Sequence, residues 1–375
     1  MKYKLSEICE YRKGKVDVST LTCDTYISTE NMLTNRGGIR QATSLPLTKQ
    51  TQEYKKGDVL VSNIRPYFKK IWIADRNGGC SNDVLVFKSK EQVDADFLYY
   101  VLSDDNFFAY SMLTAKGTKM PRGDKKKIMQ YEVPQFNENQ QKKIAYILGL
   151  FDKKIKLNNK INNNLLQQLH ILYLRFFCDS AMDTPLGDVV ATTSGGTPSR
   201  KHDEYYSDSS ICWVKSKELL GNYIHETEEH INDLAIKKSS AKLLPEHSVL
   251  IAMYGATVGA YGVISKPMTC NQAVCALLYN ENYPYTYLFQ IAYESQQKII
   301  NLAVGSAQQN ISQVLIKQLN LHSNLDIIQR FHGLALPMHQ EIESLQAETI
   351  RLSNLRDNLL PKLMSGEIDV SDINI

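Results

Sequence analysis

The motifs that usually announce an enzyme are missing from this sequence. There is no G-x-x-x-x-G-K-[ST] phosphate loop, no G-x-S-x-G nucleophile elbow, no H-E-x-x-H and no G-x-G-x-x-G. The common sequence signatures of nucleotide hydrolysis, acyl transfer, zinc proteolysis and dinucleotide binding are therefore excluded. Gly255-Ala256-Thr257-Val258-Gly259 comes nearest to a phosphate loop but lacks its lysine. Neither an N-P-P-[FY] methylation motif nor a nuclease core is legible. Cysteine is scarce and scattered: the seven residues lie at 9, 23, 80, 178, 212, 270 and 275, with no C-x-x-C pair. That pattern argues against a disulfide frame or a zinc site and for free thiols in a reducing cytoplasm. No metal and no cofactor are expected. His332 and His339, seven apart on a helical pattern, read as exposed or satisfied histidines rather than ligands.

A membrane segment is also lacking. Met1-Lys2-Tyr3-Lys4 leads into polar sequence with no apolar leader, so a cytoplasmic location is expected. Ser248–Ser265 is eighteen residues without a charge and contains Gly255-x-x-x-Gly259, a small-x-x-x-small pattern known from membrane helices. Its glycines, tyrosines and serines make a poor spanning helix, and a buried β-hairpin is the better reading. What remains is ordinary globular usage, 43% hydrophobic and 22% charged over 375 residues. That length suits two domains rather than one.

The net charge of +3 hides an asymmetry. Residues 1–180 hold 29 Lys/Arg against 19 Asp/Glu, and the remainder 14 against 21, so the halves carry +10 and −7. A basic half suits a polyanion such as nucleic acid. The acidic half must concentrate its cations locally to do the same.

The chain carries a long internal repeat. Leu5-Ser6-Glu7-Ile8-Cys9 is echoed by Leu186-Gly187-Asp188-Val189-Val190, and Gly57-Asp58-Val59-Leu60-Val61 by His247-Ser248-Val249-Leu250-Ile251. Cys80-Ser81-Asn82-Asp83-Val84 answers Cys270-Asn271-Gln272-Ala273-Val274. Lys116-Gly117-Thr118, Ile128 and Val133 answer Val304-Gly305-Ser306, Ile316 and Leu321. Val59–Ser62, Ile71–Ala74 and Asp83–Phe87 read as strands, repeated by Val249–Ala252, Gly262–Ile264 and Val274–Leu278. Phe97–Leu102 with Asn106–Leu113, and Tyr285–Tyr293 with Gln296–Ala303, read as paired helices.

After each globular block the apolar residues recur every three or four positions. They run from Ile144 and Leu148 to Phe176 in one stretch and from Phe331 and Leu334 to Leu363 in the other. This is the spacing of an amphipathic helix or a coiled-coil seam. Some 38 residues give about 55–60 Å of helix if unbroken, and Pro337 is expected to kink or interrupt the second helix. Such helices must bury their stripes. The economical arrangement packs them against each other, antiparallel, with the globular parts at opposite ends.

Candidate nucleic-acid contacts gather in loops. Arg65-Pro66-Tyr67-Phe68-Lys69-Lys70 is a hairpin tip that mixes cations with aromatics. Arg65, Tyr67, Lys69 and Lys70 either touch DNA there or make a solvated turn. Arginine can pair bidentately with guanine O6 and N7, and lysine can neutralise phosphate. Lys116, Lys119, Arg122 and the run Lys125-Lys126-Lys127 sit in a second loop, read as phosphate-contacting or merely solvated. Arg36 and Arg40 flank Gly37-Gly38 in a third. In the second half the matching tip is Gly255-Ala256-Thr257-Val258-Gly259-Ala260, where small residues replace charge. Tyr254, Thr257, Gln308, Gln309 and Asn310 are the candidate readers, because glutamine or asparagine can pair with adenine N6 and N7. Arg200, Lys201, Lys215 and Lys217 are expected to supply its basic patch, with Thr197 of the same loop as a further candidate contact. Two similar modules with different tips on a rigid spacer would read two different half-sites across an unread gap.

Thr193-Ser194-Gly195-Gly196-Thr197-Pro198, Tyr254-Gly255-Ala256-Thr257-Val258-Gly259, Asn271-Gln272-Ala273, Gly305-Ser306-x-Gln308-x-Asn310-Ile311-Ser312 and the closing Leu359-Leu360-Pro361-Lys362-Leu363-Met364-Ser365-Gly366-Glu367-Ile368 together resemble the DNA specificity subunit of type I restriction–modification systems. The likeness extends over essentially the whole chain, although the first half lacks a Gly-Gly-Thr-Pro opening. The resemblance implies an α+β chain of two pseudo-symmetric α/β target recognition domains, 1–138 and 181–325. They would be joined by two helical spacers, 139–180 and 326–375, packed as an antiparallel coiled coil. It also implies a non-catalytic subunit that binds double-stranded DNA at a split target. Its partners would be two modification (methyltransferase) subunits, which methylate adenine at N6, and restriction (endonuclease/translocase) subunits. The rival reading is a protein-interaction scaffold of two α/β domains without DNA readout.

Overall fold

A computed structural model describes residues 2–303, 310–371 and 373. Residues 1–156 with 351–375 form one compact unit and 157–350 a second, so each long helix contributes to both.

The first unit is built on an antiparallel sheet in the order Cys9–Tyr11, Val84–Ser89, Val59–Ser62, Ile71–Ile73. Val59–Ser62 is buried at every position because both faces of the sheet are covered. Val59, Val61, Leu85 and Phe87 point into one core, and Leu60, Val84 and Val86 into another. This is the strand period of two with an apolar layer on each side. A smaller sheet, ordered Lys15–Asp17, Gln50–Tyr54, Gly78–Cys80, Tyr26–Ile27, includes the parallel pair Tyr26–Ile27 and Gly78–Cys80.

The second unit repeats the plan. Its central order is Ala191–Ser194, Val274–Leu278, Val249–Ala252, Tyr261–Ile264, with Tyr223–Ile224 added in parallel at the edge. Val249 and Ile251 enter one core, and Leu250 and Ala252 another. The uncharged run 248–265 is thus the expected buried hairpin, with Val249 opposite Val263. In the smaller sheet Ile211–Val214 lies between His230–Ile231 and Thr269–Cys270, parallel to the latter.

One expectation fails informatively. Ala95–Ser103 and Asp105–Leu113 are indeed two helices, but their counterpart is the single helix Tyr285–Leu302. Asp104 makes the difference: its backbone is extended, at φ −62° and ψ 138°, and its carboxylate accepts from the Asn106 amide. That breaks one helix and caps the next. Glu294-Ser295-Gln296 instead stays helical, with Ser295 buried inside the continuous helix. The lysine run also differs from expectation, because Lys125–Ile128 is a helical turn capped by Asp124 rather than open loop.

The long helices span Glu138–Phe177 and Leu325–Ser365. In the first unit, Ile144 and Leu148 share a core with Leu360 and Leu363. In the second, Asn158 donates to Glu348 at 2.8 Å, while Tyr173 and Phe177 pack on Phe331 with ring centroids 6.1 and 5.6 Å apart. Rising numbers on one helix meet falling numbers on the other, as in an antiparallel coiled coil. Pro337 does not interrupt the second helix. Its missing donor is tolerated because Phe331, Ala335 and Ile342, on either side, are fixed in one core.

Candidate nucleic-acid interface

In the first unit three loops distant in sequence are tied together by backbone hydrogen bonds. Arg65 N donates to Pro121 O at 2.8 Å, and Asn35 N and Arg36 N donate to Phe68 O and Lys69 O, each at 2.9 Å. Asn63 N donates to Asp83 O at 2.8 Å and Gly123 N to Asn63 O at 3.2 Å. The hairpin tip therefore stands beside the loops of Arg36 and Arg122, as a composite site requires. Arg65 and Lys69 both hold left-handed backbone, with φ 49° and 50°, which gives the tip a fixed shape.

Its cations are in different states. Arg65 Nε is buried without a partner, as is Asn63 Oδ1. Tyr67 is exposed and its ring centroid lies 4.6 Å from that of Phe68. Lys70 donates to Thr29 O at 2.6 Å, and burial, then the Arg40 charge, hold its ammonium below the usual lysine range. Lys69 pairs with Asp105 at 2.8 Å. Arg36 is committed to the fold: it donates to Ser103 O at 2.7 Å and pairs with Asp105. Burial pushes the Asp105 carboxyl up, but Lys69 and Arg36 outweigh it and hold the group below its ordinary value. Arg122 pairs with Asp83 at 3.1 Å and Lys116 with Asp124 at 3.2 Å. Arg40 and Lys119 are exposed. A groove of about 440 Å³ is lined by Tyr26, Asn31, Arg40, Ser81 and Asp83 among others.

The second unit reproduces the same hydrogen-bonded frame with other side chains. Met253 N donates to Ala273 O at 2.8 Å, as Asn63 N does to Asp83 O. Ile311 N donates to Met253 O at 2.9 Å, and Tyr254 bridges to Asn310. Asn271 N donates to Val214 O at 2.9 Å, matching Ser81 N to Ile27 O at 2.8 Å. Tyr254 is exposed, and the Thr257 hydroxyl is turned back onto Tyr254 O at 3.1 Å. Gln308 and Gln309 lie outside the described residues.

The basic patch here is partly neutralised. Arg200 and Lys215 both pair with Glu229, and Lys215 and then Arg200 lower that carboxyl below its ordinary range. The Arg200 guanidinium also lies 4.3 Å from the Tyr206 centroid and 5.4 Å from that of Trp213. Lys217 pairs with Glu228, Thr197 bonds Gln272, and Lys201 is exposed. Glu229 and Asn63 were missed in the sequence. Glu229 lies 29 residues from Arg200 with no periodicity to link them, and Asn63 reads as an ordinary turn residue. The Lys217–Glu228 pair is exposed on both sides, and exposed ion pairs are worth little.

A family model described as the type I restriction modification DNA specificity domain matches residues 1–167 and again 181–323. The chain is 24% identical over 317 residues to the type I restriction enzyme MjaIX specificity subunit of Methanocaldococcus jannaschii, covering 76% of this chain and 71% of that one. It is 22% identical to the HindI specificity subunit of Haemophilus influenzae, covering 98% and 99%. The crystal structure of a type I restriction–modification S subunit from M. genitalium shares the fold, with a TM-score of 0.59 at 16% identity over 99% of this chain and 96% of that one. Among the described residues no helix is long and apolar enough to cross a membrane.

Proposed function

Because this chain belongs to the family of type I restriction modification DNA specificity domains, we propose that it is the sequence-reading, non-catalytic subunit of such an enzyme. Its two target recognition domains, 1–138 and 181–325, read the two halves of a split target in double-stranded DNA. The helical spacers, 139–180 and 326–375, fix the gap. The carrying observation is one hydrogen-bonded loop frame built twice with different tips: Arg65, Tyr67 and Lys69 on one, Tyr254, Thr257 and Asn310 on the other. A shared frame with different side chains is what two different half-sites require. Lys116, Lys119, Arg122, Arg40 and Lys70 position the first domain on phosphates, and Thr197, Arg200, Lys201, Lys215 and Lys217 the second. Gln308 and Gln309 join Tyr254, Thr257 and Asn310 as readers of the second half-site, while Arg36 holds the first loop in shape.

Catalysis belongs to partners in this reading: two modification subunits that methylate adenine, and restriction subunits when cutting, in the cytoplasm. The long helices leave Leu150, Leu157 and Ile171 exposed at 48%, 51% and 64%, apolar surface suited to docking modification subunits. Mapping methylated adenines in a host carrying this chain with its modification subunit, and again after deleting this chain, tests the reading. Loss of a motif of two short blocks with a fixed gap is expected. An unchanged map, with the modification subunit expressed and active, would refute it.

A further inference from the structure

The strand Ile211–Val214 pairs antiparallel with His230–Ile231, and the register sets Cys212 directly opposite His230. Cross-strand partners project from the same face, with Cβ atoms about 4.5–5.5 Å apart. Glu226 closes the third side: its Oε1 accepts from Cys212 Sγ at 2.8 Å and lies 2.6 Å from His230 Nε2. The sulfur, nitrogen and carboxylate oxygen all fall within 4.8 Å of one another. From this convergence we infer that Cys212, Glu226 and His230 bind a divalent transition metal of the zinc type.

The surroundings hold the three in place. The Trp213 amide donates to Thr227 Oγ1 at 3.1 Å, and the Thr227 hydroxyl donates to Glu229 O at 2.7 Å. These bonds pin the turn between Glu226 and His230 against the cysteine strand. Thr269 Oγ1 donates to Cys212 O at 3.0 Å from the other side. Lys266 Nζ lies 3.3 Å from Oε2 of Glu226, and the Thr227 amide donates to Oε1 at 3.3 Å; together they orient the carboxylate with Oε1 toward Cys212 and His230, as outer-shell partners do. A thiolate, an imidazole and one carboxylate suit zinc and exclude calcium or magnesium, which take oxygen ligands.

Three protein ligands leave a fourth position for water. Metal–ligand distances of about 2.0–2.3 Å would spread the donor atoms to roughly 3.2–3.6 Å, so the carboxylate must withdraw by roughly 0.6–0.8 Å. Glu226 can do so, because its side chain is 55% exposed whereas Cys212 is buried. On binding, the sulfur–hydrogen bond breaks, a sulfur–metal bond forms, and the proton leaves to solvent. The metal clamps two short strands together one residue away from Trp213 and Glu229, and it does not depend on DNA reading. A lone cysteine without a C-x-x-C partner hides such a site in the sequence, because Cys212 reaches its partners across a strand ladder.

The full-length chain, stripped with a chelator and titrated with Co²⁺ and then Zn²⁺, provides the test. One equivalent per chain is expected, with a thiolate-to-cobalt charge-transfer band that Cys212→Ser abolishes. His230→Gln and Glu226→Gln keep all seven thiols and are expected to weaken zinc binding on the order of a hundredfold. Should Cys212→Ser fail to fold, the melting temperature decides: zinc raises it in the natural chain and not in His230→Gln. The inference is overturned if the band is absent or survives in Cys212→Ser. Unchanged zinc affinity in both glutamine variants would equally overturn it and mark an adventitious metal on another thiol.

Discussion

Asp152 of the first long helix accepts two hydrogen bonds of 2.6 Å, one from Arg356 of the second helix and one from the Tyr100 hydroxyl. The Arg356 side chain is only 11% exposed, so the pair joins the two helices to the helix Ala95–Ser103 in a partly dry setting. Removing the guanidinium leaves a carboxylate short of a partner. Arg356→Met is therefore expected to lower stability by about 2–4 kcal/mol, because a broken, mostly buried pair exposes the full desolvation cost of the remaining charge. Asp357→Asn, on the exposed side of the same arginine, is expected to cost less than about 1 kcal/mol. Urea unfolding of both variants measures the difference.

His339 gives the second unit an acid-sensitive centre. It is fully buried; Nδ1 lies 2.9 Å from the Tyr223 hydroxyl, and Nε2 has no partner. Burial, then the neighbouring His332 and His247, push its pKa down to about 3. The folded chain holds this imidazole neutral, while the unfolded chain protonates near the ordinary value of about 6.5. Its contribution is therefore complete above pH 6.5 and is lost as the pH falls from there toward 3. At pH 5 the loss from this group is about 2 kcal/mol. His322, His332 and His225 are also depressed by burial and add to the slope. His247 opposes it, because Glu343 raises its pKa. His339→Leu is expected to flatten the pH dependence of the unfolding midpoint between pH 7.5 and 5. An unchanged slope would assign acid sensitivity elsewhere.

The repeat was the most legible feature of the sequence because strand alternation and helix periodicity survive divergence. Val59–Ser62 and Val249–Ala252 were both readable as buried strands, and both long helices were legible from their apolar spacing. Helix continuity in the second half was not readable, since Asp104 caps a new helix while Ser295, also of a capping residue type, stays inside one. The candidate loops were legible as basic or glycine-rich segments, but their company was not. That Arg36 spends its charge on Asp105, and that Arg200 and Lys215 share Glu229, are tertiary facts. The Cys212–His230 pairing was hidden for the same reason.

The Gly195-Gly196 pair is a packing requirement. A Cβ on Gly196 would sit 2.3 Å from the Ser240 carbonyl carbon, and one on Gly195 would sit 2.1 Å from Cys270 O. Backbone lies on the far side in both cases and cannot rotate away. Trp213 Nε1 also donates to Gly196 O at 3.0 Å, so a shift there would disturb the strand leading to Lys215. Gly196→Ala is expected to destabilise the second unit by about 1–3 kcal/mol, typical of overpacking. Hydrogen exchange should locate faster opening in residues 191–214 while strands of the first unit stay protected. Uniform protection would mean that the loop absorbs the methyl group.

Arg65 and Lys119 should fail in different ways. Arg65 Nε is buried and unpaired at a tip whose backbone is held in left-handed geometry, an arrangement that presents a guanidinium to one place. Lys119 stands exposed in the neighbouring loop. Lys119→Ala is expected to weaken binding to all duplexes alike and to reduce the slope of log affinity against log salt by about one. Arg65→Ala is expected to leave that slope nearly unchanged. It should instead relax discrimination at one base pair of one half-site by about 1–3 kcal/mol, the value of a bidentate contact to a base edge. Titrating duplexes mutated singly across both half-sites, at two salt concentrations, separates the two effects. If Arg65→Ala behaves as Lys119→Ala does, the hairpin tip grips the backbone, and base reading in the first domain falls to the groove beside Asn31 and Ser81.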